Sequence, residues 1–262
     1  MVREVSEVDL DAVWHCGGMS SDPGSTSSEH EEDGGAPRSA GSAYLVSPEA
    51  GPGPGVLVLH SWWGLTEGMK STVEQLADSG FTAMAPALLP GEQPGDVAEA
   101  AGRLAEADVD ATAGLILSSI VALRANSADP DAPVGVVGYS MGASWALWVA
   151  TRQPLSVDAV VSYYGHQDID FADLSAAVLC HFAESDPLVT EDQAVEMQAH
   201  LKLAGKEVEA ETHPGTRHFF AESGVPVLDA EGVLGERKPS EEAAAATAWL
   251  RSVDFLRSRL AG

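Results

Sequence analysis

The stretch Val134-Gly-Val-Val-Gly-Tyr-Ser-Met-Gly142 constrains this chain more than any other. A short β-branched run leads into Gly-x-Ser-x-Gly, and an apolar segment of helical period follows at once, over residues 141–151. A strand that turns directly into a helix brings backbone close to backbone. Side chains at Gly138 and Gly142 would collide with neighbouring elements. Such a turn lifts the Ser140 hydroxyl above the strand end. It also sets it at a helix N-terminus, where free amides favour developing negative charge. Ser140 is therefore the candidate nucleophile. The plainer alternative is a glycine-rich turn with an incidental serine.

The same strand-then-helix alternation recurs along the chain. Short apolar runs predict strands at 43–46, 56–59, 81–85, 134–137, 159–163, 176–182 and 208–212. Helical spacing predicts helices at 66–79, over 97–125 as one or two pieces, and at 141–151, 191–204 and 241–260. Trp249, Val253, Leu256 and Leu260 form one stripe of the last. Alternation of this kind predicts an α/β fold with a mostly parallel central sheet and helices on both faces. Reactive groups in such sheets sit at the carboxyl ends of strands.

A serine needs a base to become a nucleophile, and the base needs an acid to orient it and stabilise its charged form. On this kind of sheet the chain order is serine, acid, histidine. His218 lies in a turn-forming sequence just after the last predicted strand and is the candidate base. His166 is its main rival. His181 reads as a core residue, His213 as a strand end and His200 as a helix-surface residue. Asp186 follows the strand at 176–182 and precedes Pro187, which restricts the backbone beside it. It is the candidate acid, and Glu184 is the rival. Acyl transfer also needs two backbone donors for an oxyanion. The amide of Met141 supplies one by position. The loop His60-Ser61-Trp62-Trp63-Gly64 supplies the other, through Trp62. The two indoles are candidates to wall an acyl pocket, although Trp63 also reads as a core residue.

Charge excludes some function classes. The 262 residues carry 14 Lys and Arg against 40 Asp and Glu, a formal net charge of −26. Phosphate backbones and anionic membrane surfaces are disfavoured, so neither a nucleic acid nor a membrane is an expected partner. No run of 18 apolar residues occurs. Residues 1–17 do not read as a secretory signal. Cys16 and Cys180 form neither a metal-ligand spacing nor a disulfide framework. These features fit a cytoplasmic protein. Residues 1–50 hold ten acids and only two bases. Within them, 17–41 is a Ser, Gly, Asp, Glu and Pro run that cannot offset its ordering entropy by burial. The expected organisation is an acidic, disordered extension over 1–41 and a catalytic domain over 42–262.

Several pieces together resemble the dienelactone hydrolase family of α/β-hydrolases. They are Val56-Leu-Val-Leu-His-Ser-Trp-Trp-Gly64, Ala77-Asp-Ser-Gly-Phe-Thr-Ala-Met-Ala-Pro86, Val136-Val-Gly-Tyr-Ser-Met-Gly142, Glu184-Ser-Asp-Pro187 and Pro214-Gly-Thr-Arg-His-Phe219. The resemblance implies the α/β-hydrolase fold and hydrolysis of an ester or lactone through an acyl-enzyme. It implies Ser140, Asp186 and His218 as the catalytic set, and the amides of Trp62 and Met141 as the oxyanion hole. Three departures stand out. The family's founding members have Cys where Ser140 stands and Glu where Ser61 stands. They have a substrate-binding Arg where this chain has Glu222. Ser61, Trp63 and Arg217 are candidate substrate contacts, with Arg103 a further basic residue. No metal or organic cofactor is expected, and a monomer or small homo-oligomer is. Two other readings are a non-catalytic binding protein on this scaffold and an acyltransferase.

Overall fold

The computed structural model describes residues 5–9, 42–89 and 91–260. Its spine is an eight-stranded sheet of order β1-β2-β4-β3-β5-β6-β7-β8. The elements run β1 (Val5–Asp9), β2 (Ser42–Val46), β3 (Gly55–Leu59), α1 (Glu67–Asp78), β4 (Thr82–Pro86), α2 (Val97–Glu106) and α3 (Val109–Asn126). They continue with β5 (Val134–Tyr139), α4 (Met141–Arg152), β6 (Val157–Tyr163), β7 (Ala177–Ser185), α5 (Glu191–Leu203), β8 (Val208–Arg217), β9 (Val227–Leu228), β10 (Leu234–Gly235) and α6 (Pro239–Leu260). From β4 to β8 all neighbours are parallel. β2 runs antiparallel to β4, and β1 antiparallel to β2. The mostly parallel sheet expected from the alternation is present, with an antiparallel edge added.

β3 shows why both faces are covered. Successive strand residues point to opposite faces, and all five residues of β3 are buried. Val56 and Val58 join the layer holding Met69, Val73 and Leu76 of α1 and Val253 and Leu256 of α6. Leu57 and Leu59 join the opposite layer, with Ile116, Ile120 and Leu123 of α3, Leu147 of α4 and Leu201 of α5. α3 is long and apolar enough, by length and composition, to cross a membrane. Here its buried side packs on β3 and β4.

The structure settles one alternative of the sequence reading and differs from it in two places. The helical region at 97–125 is two helices, broken at Ala107 and Asp108. Asp108 caps the second by accepting the Ala111 amide. β8 does not stop at Thr212 but continues to Arg217. It is the last strand of the sheet, so Pro214 costs no ladder bond to a further neighbour. The pairing with β7 shifts register between Ala183 and Ser185, which accommodates the detour through Pro214 and Gly215. Within the extension expected at 1–41, Val5–Asp9 forms β1. The remainder, including the run at 17–41 expected to be disordered, lies outside the described residues.

The topology creates a crevice. From β3 the chain moves to β4 on one side and then crosses back to β5 on the other. The loops after β3 and β5 therefore diverge, and ligands bind at such a switch point in open α/β sheets.

Candidate active site

Ser140 stands between β5 and α4 with φ 52 and ψ −114, a conformation L-residues seldom adopt. It is held there by its amide, which donates to the Tyr163 carbonyl at 2.9 Å, and by contact on both sides. A Cβ on Gly138 would lie 2.3 Å from the Gly142 carbonyl oxygen, and one on Gly142 would lie 2.1 Å from the Leu59 carbonyl oxygen. Glycine at both positions is thus a steric requirement of the close approach of β3, β5 and α4.

The three expected catalytic side chains come together at the carboxyl ends of β5, β7 and β8. His218 Nε2 is 2.8 Å from Ser140 Oγ, and His218 Nδ1 is 2.6 Å from Asp186 Oδ2. The His218 and Asp186 side chains are almost wholly excluded from solvent. Asp186 Oδ1 accepts the amides of Leu188 at 2.8 Å and Val189 at 2.9 Å, so the carboxylate is oriented by its own loop. His218 is fixed from behind by backbone bonds to Leu228 of β9, donating at 3.2 Å and accepting at 3.1 Å. An aspartate on Nδ1 leaves Nε2 free to take a proton from the serine.

The rivals are placed elsewhere. Glu184 is exposed and accepts the Gly215 amide at 2.8 Å. His166 offers its carbonyl to the Ser144 hydroxyl at 2.6 Å. His200 faces Asp168 on the surface at 4.0 Å. His181 and His213 are buried.

Of the candidate oxyanion amides, Met141 directly follows Ser140 and Trp62 stands in the loop after β3, the strand beside β5. Met141 is the first residue of α4, where helix geometry offers its amide no acceptor. Ser61 engages the residues around Trp62. Its carbonyl accepts Gly64 N–H at 3.2 Å and its hydroxyl accepts Trp63 N–H at 3.3 Å. Trp62 and Trp63 pack on Phe219 with ring centres 5.7 and 5.8 Å away, and both indole nitrogens are buried without a partner. Trp63 is fully buried.

Arg217, expected to contact substrate, is committed elsewhere. Its guanidinium bonds Glu241 through Nε at 2.9 Å and Nη2 at 2.7 Å, and Nη2 also donates to the Glu236 carbonyl at 2.7 Å. Burial of Glu241 requires a cation beside it, and β8 delivers Arg217 to that place. Arg103 likewise pairs with Glu99 at 2.7 Å.

Two neighbours of the site were not singled out as functional by sequence. Tyr164, at the end of β6 with φ 39, packs its ring 4.8 Å from that of His218. Glu222 is buried, and accepts from the Ser61 hydroxyl at 2.7 Å and the Tyr164 hydroxyl at 3.1 Å. Burial pushes its pKa up to about 7, against the opposing effect of those two bonds and of Arg237. Glu222 lies four residues past His218, but no local pattern links it to Ser61, 161 positions away.

Behind the triad lies a second polar chain. Tyr163 Oη is 2.7 Å and His181 Nε2 3.1 Å from Ser252 Oγ, which donates to the Ala248 carbonyl at 2.8 Å. His181 Nδ1 is 3.0 Å from His213 Nε2. Burial lowers the pKa of His181 to about 3, with His213 and Arg251 adding to the effect, and His213 is also lowered, by burial first. With Glu211, these histidines form a group whose ligand atoms lie within 4.8 Å of one another, a spacing that could hold a metal ion. Glu211 already pairs with Arg251 at 2.7 Å, and a neutral arrangement of protons satisfies the chain as it stands. Cys180 is buried on β7, where burial pushes its thiol up to about 12.

The chain is similar to several known proteins. The model of the dienelactone hydrolase family matches residues 42–260. Protein usf of Aquifex pyrophilus is 27% identical over 186 residues, 68% of this chain and 80% of that protein. Carboxymethylenebutenolidase 1 of Cupriavidus pinatubonensis is 28% identical over 200 residues, 71% of this chain and 83% of that protein. The crystal structure of a dienelactone hydrolase-like promiscuous phosphotriesterase from metagenomic libraries superposes with a TM-score of 0.69 at 21% identity, covering 82% of this chain and 92% of that one. At that identity the likeness is one of fold.

Proposed function

The chain belongs to the dienelactone hydrolase family and is a carboxylic ester hydrolase, and on that premise we propose that it cleaves ester or lactone bonds through an acyl-enzyme on Ser140. The observation that carries this reading is the continuous bond chain Ser140–His218–Asp186. His218 Nε2 takes the Ser140 proton as Oγ bonds to the carbonyl carbon. The resulting oxyanion is held by the amides of Trp62 and Met141. The carbon–oxygen bond to the alcohol then breaks, and His218 returns the proton to the leaving oxygen. Water repeats the sequence on the acyl-enzyme, its proton passing through His218, and releases the acid and free Ser140. Asp186 keeps the imidazole in the required tautomer and stabilises it when charged.

Neutral esters fit this site better than dianionic substrates. Arg217 and Arg103 are both paired with glutamates, Glu222 is buried beside Ser61, and the chain carries a net charge of −26. Short neutral p-nitrophenyl esters should be turned over, and a fluorophosphonate probe should attach to Ser140. Ser140→Ala should abolish both. Equal turnover by Ser140→Ala, or labelling at another residue, would overturn the proposal. Faster turnover of a dicarboxylate lactone than of a neutral ester would overturn the substrate preference alone.

A further inference from the structure

Glu222 is a buried group beside the triad that the triad chemistry leaves unused. Its two oxygens reach two different walls of the crevice. Oε2 accepts from Ser61, in the loop after β3, whose hydroxyl in turn accepts the Trp63 amide. Oε1 accepts from Tyr164, after β6, whose ring packs on His218. Trp62, whose amide is assigned to the oxyanion, lies between Ser61 and Trp63 in sequence. One carboxylate therefore ties the oxyanion loop to the ring beside the base.

We propose that Glu222 is a positioning residue, holding the loop of Ser61 and Trp62 in register with His218 so that the oxyanion amide and the base act on the same carbonyl. This rests on the serine-hydrolase reading above.

The proton count supports it. Ser61 and Tyr164 each have one hydroxyl proton, and an ionised carboxylate accepts both. A protonated carboxyl carries a proton of its own on one oxygen and accepts less strongly there, so the pair of contacts is weakened. Two contacts from hydroxyls suit the ionised form. The groups facing it are Ser61 after β3, Tyr139 at the end of β5, Tyr164 after β6 and Arg237 ahead of α6, with Thr72 of α1 bonded to Tyr139. Among these the phenols of Tyr139 and Tyr164 are held above their ordinary range, first by burial, then by Tyr163 and Glu222 for Tyr139 and by Glu222 for Tyr164, so both remain donors. Arg237 supplies the positive charge that favours the carboxylate. With ionisation centred near pH 7, the strut forms as pH rises through neutrality.

The test uses the full chain and compares wild type with Glu222→Gln, which keeps size and shape but cannot carry the charge. Single-turnover acylation by a p-nitrophenyl ester should be about tenfold slower in Glu222→Gln at pH 8.5, since small misplacements of catalytic groups cost one to two orders of magnitude. KM should change little. At pH 5.5, where wild-type Glu222 is protonated, the ratio of the two rates should approach one. A merely structural role would not give a pH-dependent ratio. Ser61→Ala should reproduce part of the loss at pH 8.5, and the double variant should be no slower than Glu222→Gln alone. Equal rates for wild type and Glu222→Gln at pH 8.5, or a deficit constant from pH 5.5 to 8.5, would overturn the proposal. Fluorophosphonate labelling separates the two levels. Wild type that is unlabelled at Ser140 removes the serine-hydrolase reading and this one with it. Labelled wild type with an unaffected Gln variant removes only the role of Glu222.

Discussion

Two serine–histidine chains draw on strands β7 and β8 of this protein and differ in what their geometry allows. One joins Ser140 to His218 and Asp186 at the carboxyl ends of β5, β8 and β7. The other joins Ser252 of α6 to His181 of β7 and His213 of β8. In both, an imidazole contacts a serine hydroxyl at about hydrogen-bond distance, and both histidines are buried. The partner on the far nitrogen separates them. A carboxylate on Nδ1 stabilises the imidazolium that forms when the serine gives up its proton. A second imidazole cannot, and burial holds His181 neutral down to about pH 3. The serine differs too. Ser140 is held outward on a left-handed turn, whereas Ser252 donates its own proton to Ala248 and so has none to give. A serine next to a histidine is therefore a catalytic pair only when charge can develop on the ring and the hydroxyl proton is directed at it.

Three perturbations bear on this contrast. The largest effect is expected for Asp186→Asn. It keeps the shape but offers an amide to Nδ1, which favours the wrong tautomer of His218, and kcat should fall by about 10⁴-fold. A loss below tenfold would mean that the acid of the first chain is not what distinguishes it.

Acid comes next. The pKa of His181 in the folded protein is about 3 and that of His60 about 4, both below their ordinary 6.5 because burial disfavours the charged ring. The unfolded chain binds more protons than the folded one between those values and 6.5. Stability is therefore fully present above about pH 6.5 and is lost as pH falls toward 3. Glu222 acts in the opposite sense. Its pKa is raised to about 7, so its contribution is present below about 4.5 and lost as pH rises to 7. Denaturant titrations from pH 3 to 8 should show both. Glu222→Gln should gain stability relative to wild type at pH 8 and not at pH 4. A His181 ring that titrates near 6.5 by NMR would break the contrast between the two chains.

The smallest effect is expected for Ser252→Ala. It leaves the Tyr163 hydroxyl and His181 Nε2 without their shared acceptor, a loss of about 1–3 kcal/mol. Esterase kcat should stay within about twofold of wild type, since small structural changes away from the reacting groups affect stability first. A large kcat loss would show that the second chain feeds the first.

The juxtaposition of Ser140, His218 and Asp186 was largely legible in the sequence, and the second chain was not. Gly138-Tyr-Ser-Met-Gly142 carries its own local geometry, and Asp186 and His218 follow strands whose apolar runs are clear. Position at a strand end is a local property, so order along the chain was enough. The Ser252–His181 contact spans 71 residues, and the bond from Glu222 to Ser61 spans 161. No periodicity encodes such pairs. They depend on how α6 and the loop after His218 pack on the sheet. Arg217 was misread for the same reason. Its closeness to His218 in sequence suggested substrate, but alternation along β8 and the burial of Glu241 direct it into an ion pair. Strand direction was hidden as well. The run at 43–46 is apolar whichever way it runs, and its antiparallel pairing with β4 follows from its connection rather than its composition.

Among the described residues, the non-glycine residues with left-handed backbone are Ser140, Tyr164 and Phe219. The first is the proposed nucleophile, the second lies against the proposed base His218 and the third follows it in the chain. Glycine would relax each of them. Among the described residues, the proposed catalytic cluster is thus the part whose sequence is least suited to its own backbone, and it stays in place because the surrounding sheet and helices are too well packed to let it go. At Tyr164 and Phe219, both fully buried, a glycine would empty a ring-sized core site at about 3–5 kcal/mol, more than the strain it relieves; Ser140→Gly alone should raise the melting temperature, and it should do so with loss of esterase turnover.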